Sequence, residues 1–187
     1  GYSKVLINAL QRQSANIIGI TDPDPSKIGE NILGVPVIGT DDVISKHNQE
    51  SIYLVNGIGM IDNNQRRHDI FYSFKNRGYS FTSVIHDSAV ISADAVISEG
   101  VQIMAGAVIQ PGCKVGSNSI INSRACIDHD SIIGVHVHIA PGVTISGGVQ
   151  IGDGTLIGIG ATIIQGINVG AYAIVAAGAV VVHNIPD

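Results

Sequence analysis

From residue 84 to residue 185 the chain runs through seventeen consecutive six-residue units without an insertion. The second place of every unit holds an aliphatic β-branched residue, from Ile85, Ile91 and Ile97, through Ile127, Ile133 and Ile145, to Val175 and Val181. Four residues after each comes mostly Ala, Ser, Thr, Cys or Val, as at Ala89, Ala107, Ser131 and Ala161. Gly often follows the aliphatic residue directly, as at Gly116, Gly134, Gly152, Gly158 and Gly170. A period of six fits neither an α-helix nor a hairpin sheet; it is a signature of the parallel β-helix. Ile and Val suit a short extended segment, a small residue fits where the chain turns near the axis, and Gly tolerates the backbone angles of a tight corner. In the left-handed form three units make one triangular coil, so each aliphatic residue stacks on the one eighteen residues later. Seventeen units then give about 5.7 coils, a prism of roughly 27 Å at ~4.8 Å per strand. Neither end of such a stack closes itself, so residues before Val84 and after Asp187 must cap it.

The 187 residues suit one large or two small domains, and the change of grammar at Val84 divides them as 1–83 and 84–187. Only 4% are aromatic and Trp is absent, which agrees with a core of small aliphatics. Residues 1–83 carry eight acids and eight bases, whereas 84–187 carry seven acids against Lys114 and Arg124 alone. Such a surface is poor for nucleic acid, which requires clustered Lys and Arg. Cys113 and Cys126 are too few for a disulfide framework and read as reduced thiols, Cys113 in a small-residue place. No apolar run approaches a membrane span and no charged leader precedes an apolar signal region, so the expectation is a soluble, cytoplasmic protein that does not engage membranes.

In the first 83 residues, 3–13 read as a helix with Val5, Leu6 and Leu10 on one face, and 16–20 as a buried strand. Asp22-Pro23-Asp24-Pro25 marks a loop, 33–38 a short strand, and 41–47 a helix opened by acids. Residues 51–55 read as a strand ending at Asn56-Gly57-Ile58-Gly59, 61–76 as a longer helix, and 80–84 as the entry to the repeats. The alternation predicts a small parallel sheet with helices on its faces. Ligands of such sheets bind beyond the strand carboxyl ends, where Gly1-Tyr2-Ser3, Thr21-Asp22 and Gly57-Ile58-Gly59 would gather. The first helix N-terminus could hold a phosphate; as a motif it is weak, and ordinary turns on a docking domain account for it equally well.

Three of the seven His fall inside ten residues, at His129, His136 and His138, flanked by Asp128 and Asp130 in a charge-poor stretch. None occupies an inward aliphatic place, so His129 and His138 should project near corners. Two chemistries compete. Zinc would ask for His ligands in a particular pattern, and although Leu156-Ile157-Gly158-Ile159-Gly160-Ala161 is similar to a phrase of the gamma-class carbonic anhydrases, no two His here are five apart and a third ligand is missing. The expectation is no metal. The other chemistry is acid–base: an amine or hydroxyl attacking a thioester must lose a proton, and an imidazole suits that task. Asp130 could hold the ring tautomer, Asp128 being the alternative, and a corner Gly could offer an N–H to the developing oxyanion.

The run from Ile120 to Gly134, containing Asp128-His129-Asp130, together with Val137-His138-Ile139-Ala140-Pro141-Gly142, resembles the bacterial sugar acetyltransferases: the UDP-4-amino-sugar (bacillosamine-pathway) N-acetyltransferases and their sialic acid O-acetyltransferase relatives. Gly1-Tyr2-Ser3-Lys4-Val5 and Val84-Ile85-His86-Asp87-Ser88-Ala89 extend the resemblance over nearly the whole chain. It implies a small Rossmann-like α/β domain holding a nucleotide sugar, followed by a left-handed β-helix, in a homotrimer with acetyl-CoA lying between subunits. His129 would be the general base and Asp130 the acid that raises its basicity. His138 and the backbone of Gly147 would meet the acetyl group, with Ile159, Ala177 and Gly178 further along the coenzyme. Gly1, Tyr2, Thr21, Asp22 and Gly57 would hold the sugar nucleotide, whose C4 amine attacks directly. Tyr2 stands where relatives often carry His, and Thr21-Asp22 where many carry two acids, so sugar identity is less defined than reaction type. The alternatives are O-acetylation of a sialic acid or related sugar and, from another class, a non-catalytic trimeric scaffold or metal-dependent hydratase.

Overall fold

The computed structural model describes residues 1–60 and 65–187. From Val84 onward the chain is a left-handed parallel β-helix whose strands are two residues long and lie on three faces. The first face stacks Val84–Ile85, Gln102–Ile103, Ile120–Ile121, His138–Ile139, Leu156–Ile157 and Ile174–Val175. The second carries Val90–Ile91, Val108–Ile109, Cys126–Ile127, Thr144–Ile145, Thr162–Ile163 and Val180–Val181. The third carries Val96–Ile97, Lys114–Val115, Ile132–Ile133, Gln150–Ile151 and Asn168–Val169. Pairing is in register at eighteen residues, as in Ile109 with Ile127 and Ile127 with Ile145, so the aliphatics form one unbroken column of core. Small-residue places fill the corners; where the residue is polar its hydroxyl is satisfied, since buried Ser119 donates to the Gly134 carbonyl at 2.8 Å and accepts from Val137 N–H at 2.9 Å.

The corners divide their labour between two positions. The glycines after the aliphatic residue are not there for backbone angle: a Cβ on Gly116, Gly152 or Gly158 would lie 2.5 Å from the backbone of the next coil. The left-handed conformation instead recurs at every sixth residue from Gly100 to Gly178, with Asn118, Arg124, Asp130, His136 and Tyr172 adopting it at φ of 55–58° without being glycine.

The segment before Val84 packs on the first face. Helix α1 (Ser3–Arg12) buries Leu6 and Ala9 against Val84 and Met104, while Val5 faces solvent. Arg12 grips Asp87 at 2.6 Å, and Gln13 donates to the Ile85 carbonyl. Helix α2 (Gln65–Asn76) drives Arg67, fully buried, toward the prism, where its guanidinium donates to the carbonyls of Asn118, Asn56 and Ile58. The longer helix expected from 61 to 76 is seen from Gln65; residues 61–64 lie outside the described part.

Among the described residues the expected single parallel sheet is not found. Strands β1 (Ile20–Thr21), β2 (Asn31–Ile32) and β3 (Val35–Gly39) form one mixed sheet, with β2 antiparallel to β3 across a Leu33-Gly34 turn of positive φ. Strands β4 (Tyr53–Leu54) and β5 (Ser80–Phe81) form a separate parallel pair. The strand expected as buried at 16–20 is reduced to β1, with Ile18 52% exposed, because it has a sheet neighbour on one side only. Acids do open 41–46, but as a 3-10 helix (Asp41–Lys46).

Candidate active site

His129 and Asp130 sit on the corner between the second and third faces, in the turn from Cys126–Ile127 to Ile132–Ile133. Buried Ile127 anchors one end of this turn and buried Ile133 the other, so the corner is held rigidly although His129 itself is exposed. The Asp130 carboxylate meets His129 Nδ1 at 2.9 Å. Asp128, on the other side, accepts the His129 backbone N–H at 2.8 Å. The bond to Asp130, then the charge of Asp128, hold the His129 pKa above its ordinary value. With Nδ1 taken by Asp130, Nε2 is the nitrogen left to accept a proton.

Two glycines shape this corner. Gly147 lies one coil above His129, and a Cβ there would be 2.5 Å from Nε2 and 2.6 Å from Cε1. Among the described residues its backbone N–H has no protein acceptor, whereas neighbouring Gly148 donates to the His129 carbonyl at 2.8 Å. Gly112 lies one coil below Asp130, and a Cβ there would be 2.4 Å from Asp130 Oδ1. The expected Gly147 therefore stands beside the imidazole; Gly112 was not anticipated, although its offset of eighteen residues from Asp130 is readable in the sequence.

The remaining expected residues lie elsewhere in the protomer. His138 does not project into solvent: loop 56–60 covers it, Nδ1 lies 3.2 Å from the Met60 carbonyl and Nε2 3.3 Å from Asn122 Nδ2. Burial lowers its pKa to about 4, so the ring is neutral, and its partners assign the proton to Nδ1. His136 lies beneath α2 among the rings of His68, Phe71 and Tyr72, with its pKa likewise lowered to about 4 by burial. Ile159 and Ala177 stack with Gly178 on the corner between the first and second faces; all three are exposed, and Gly178 donates to the Ile159 carbonyl at 2.8 Å.

Thr21, Asp22 and Gly57 line one cavity of about 780 Å³ in the amino-terminal segment, within the range of small-molecule sites. Its walls are largely aliphatic, with Ile17, Ile18 and Ile38, and four of its polar groups are tied in pairs: Lys27 to Asp22 at 2.9 Å and Thr21 to Asp41 at 2.6 Å. Gly1 is exposed at the head of α1. The Tyr2 hydroxyl is enclosed without a partner among the described residues, and burial raises its pKa. No group of three or more His, Cys, Asp or Glu among the described residues is arranged to hold a metal, and no described helix is long and apolar enough to cross a membrane.

A left-handed β-helix carrying an exposed His–Asp pair on a corner, with a cavity-bearing α/β segment docked on the opposite face, defines a hexapeptide-repeat transferase. The model of the bacterial transferase hexapeptide (six repeats) family matches residues 94–129. A histidine-to-asparagine mutant of perosamine N-acetyltransferase from Caulobacter crescentus, solved with CoA and GDP-perosamine, is 35% identical, with a TM-score of 0.92 over 100% of this chain and 87% of that one. The acetyltransferase domain of PglB from Neisseria gonorrhoeae, solved with acetyl coenzyme A, is 32% identical, with a TM-score of 0.93 over 100% and 89%. WeeI from Acinetobacter baumannii is 25% identical, with a TM-score of 0.78 over 100% and 89%. No curated protein sequence matches the chain. The chain belongs to the hexapeptide-repeat sugar acetyltransferases, and it is an acyltransferase.

Proposed function

We propose that this enzyme transfers an acetyl group from acetyl-CoA to the C4 amine of a nucleotide-linked amino sugar, in sites formed between the copies of a homotrimer. The observation that carries this reading is the division of the expected site within one protomer. The His129–Asp130 pair and Gly147 stand on the corner opposite the first face, whereas loop 56–60 and His138 lie on that first face, on the far side of the prism. Ile159, Ala177 and Gly178 occupy a third location, another corner. No single chain can present all of them to one substrate, but packing the corner of one copy against a neighbour can. In this reading residues 1–83 form the nucleotide-sugar-binding domain, whose Gly1, Tyr2, Thr21, Asp22 and Gly57 loops hold a UDP-linked sugar. Residues 84–187 hold acetyl-CoA along the prism, and the enzyme works in the cytoplasm without a metal.

The chemistry follows from the atoms of the corner. The sugar amine attacks the thioester carbonyl and gives its proton to His129 Nε2, while Asp130 keeps the other proton on Nδ1 and stabilises the imidazolium. The Gly147 N–H is the donor for the oxyanion that develops on the carbonyl oxygen. When the C–S bond breaks, the leaving thiolate takes the proton from His129, and no covalent enzyme intermediate forms. The family resemblance supplies the reaction class, and the relative solved with GDP-perosamine supports a nucleotide-linked acceptor. A thiol-release assay should show His129→Ala at least ~10²-fold slower than the parent enzyme. Offering UDP-linked and GDP-linked 4-amino sugars and free sialic acid side by side identifies the acceptor. Undiminished turnover by His129→Ala would remove the proposed base.

A further inference from the structure

We infer that Gly112 is a positioning residue for the His129–Asp130 pair: the absence of its side chain is what lets the Asp130 carboxylate face His129 Nδ1. This rests on the proposed role of His129, and the test below separates the two. Asp130 occupies the left-handed place of its corner at φ 58°, and its backbone N–H is fixed by the Pro111 carbonyl at 2.9 Å. With that backbone set, the carboxylate has one oxygen on His129 Nδ1 while the other, Oδ1, hangs over Gly112. A Cβ on Gly112 would stand 2.4 Å from Oδ1 and 3.4 Å from Asp130 Cγ, which is room enough for the backbone and too little for this rotamer. The carboxylate would have to turn, and turning it takes Oδ2 off the imidazole.

The floor of this notch is itself held in place. From Asn118 onward the N–H of the left-handed residue goes to a carbonyl of the coil below, as Arg124 does to Ala105; Gly112 N–H goes instead to the side chain of Asp94 at 2.9 Å, as Gly106 N–H goes to the Ser88 hydroxyl at 3.1 Å. Ser92 in turn donates to Asp94 at 2.5 Å. Asp94 therefore sets the height of Gly112, Gly112 admits the Asp130 carboxylate, and Asp130 orients the ring. None of Ser92, Asp94 or Gly112 touches the reacting atoms.

The test is an NMR titration of the His129 imidazole in the parent protein and in the Gly112→Ala, Asp130→Asn and Gly106→Ala variants, read beside turnover. Gly106 shares the left-handed conformation at φ 67°, but a Cβ there makes only an ordinary 3.5 Å contact with Arg124, so it controls for backbone strain. Gly112→Ala should move the His129 midpoint down toward that of Asp130→Asn, while Gly106→Ala leaves it in place. In turnover, Gly112→Ala should lower kcat about tenfold or more with KM little changed, and the rise of kcat with pH should begin at lower pH. If Gly112→Ala does not fold, Asp94→Ala replaces it: freeing the Gly112 N–H should lower the midpoint in the same direction. A His129 midpoint equal to the parent value in the folded variant overturns the inference. The titration remains readable if the parent enzyme acetylates none of the sugars offered, so failure of the proposed function would not imitate that result.

Discussion

Replacing Gly147 with alanine should silence the enzyme without weakening the fold. Gly147 has ordinary backbone angles, so alanine brings no strain, and by restricting the unfolded chain it contributes about 0.4–1 kcal/mol of stability before any clash is counted. The new methyl carbon, however, would meet His129 at 2.5 Å from Nε2, 2.6 Å from Cε1 and 3.1 Å from Cδ2, the whole outer edge of the ring. Carbon and nitrogen need roughly 3.5 Å, so the ring must withdraw by about 1 Å. It has room to do so, because half of the side chain is exposed, at 52%. The clash therefore relaxes cheaply, but by moving the proposed base off its line to the acceptor, and a displacement of about 1 Å costs on the order of 10²-fold in rate. Gly148, the next residue, has the opposite character: open space for a Cβ but φ of 67°, so alanine there costs about 1–2 kcal/mol of stability and leaves the ring untouched. Urea unfolding and kcat/KM from thiol release, measured on both variants, should thus give crossed phenotypes. Parent kcat/KM in a folded Gly147→Ala enzyme would refute the steric reasoning and the placement of His129 Nε2 at the reacting centre.

Two further outcomes follow from the junction between the amino-terminal segment and the first face. Arg67→Met removes the donor from the buried Asn118 carbonyl and the half-buried Ile58 carbonyl, while the Asn56 carbonyl keeps Gln102 at 2.8 Å; two acceptors at about 1–3 kcal/mol each set an upper range of roughly 2–6 kcal/mol for the loss in urea unfolding, and a variant as stable as the parent would show that those carbonyls do not depend on the guanidinium. His136 and His138 are held neutral, with folded pKa of about 4 against 6.5 when unfolded, so their contribution is whole above pH 6.5 and falls away as pH drops toward 4, on the order of 3 kcal/mol for each. The lowered carboxylates, Asp22, Asp87 and Asp94 among them, lose their contribution only at lower pH, and His129, raised by its acids, works in the opposite sense. Stability measured from pH 7 to 4 should decline accordingly; a flat profile would contradict the buried neutral rings.

Repetition made the prism legible: a two-residue strand needs only Ile or Val at one place and a small residue four later, and seventeen repeats leave no other fold that buries them all. The His129–Asp130 pair was legible for a related reason, because neighbours in sequence on a rigid corner remain neighbours in space. Gly116 and its counterparts were read correctly as corner residues, yet for a backbone angle that belongs to a different position of the turn. That distinction depends on how closely successive coils approach. The burial of His136 and His138 was not legible, because the cover comes from α2 and from loop 56–60, far away in the chain. The first 83 residues offered short apolar runs with no period, so which runs pair, and that they separate into two small sheets, was decided by tertiary contacts that no local pattern encodes.

The chain alone thus determined a β-helix, its eighteen-residue register and a histidine beside an acid, since each depends on residues close in sequence or repeated along it. Only the folded molecule decided which corner that histidine occupies relative to the docked segment, and that one glycine above it and one below leave the space it stands in. Those are distances between coils, and no single repeat contains them.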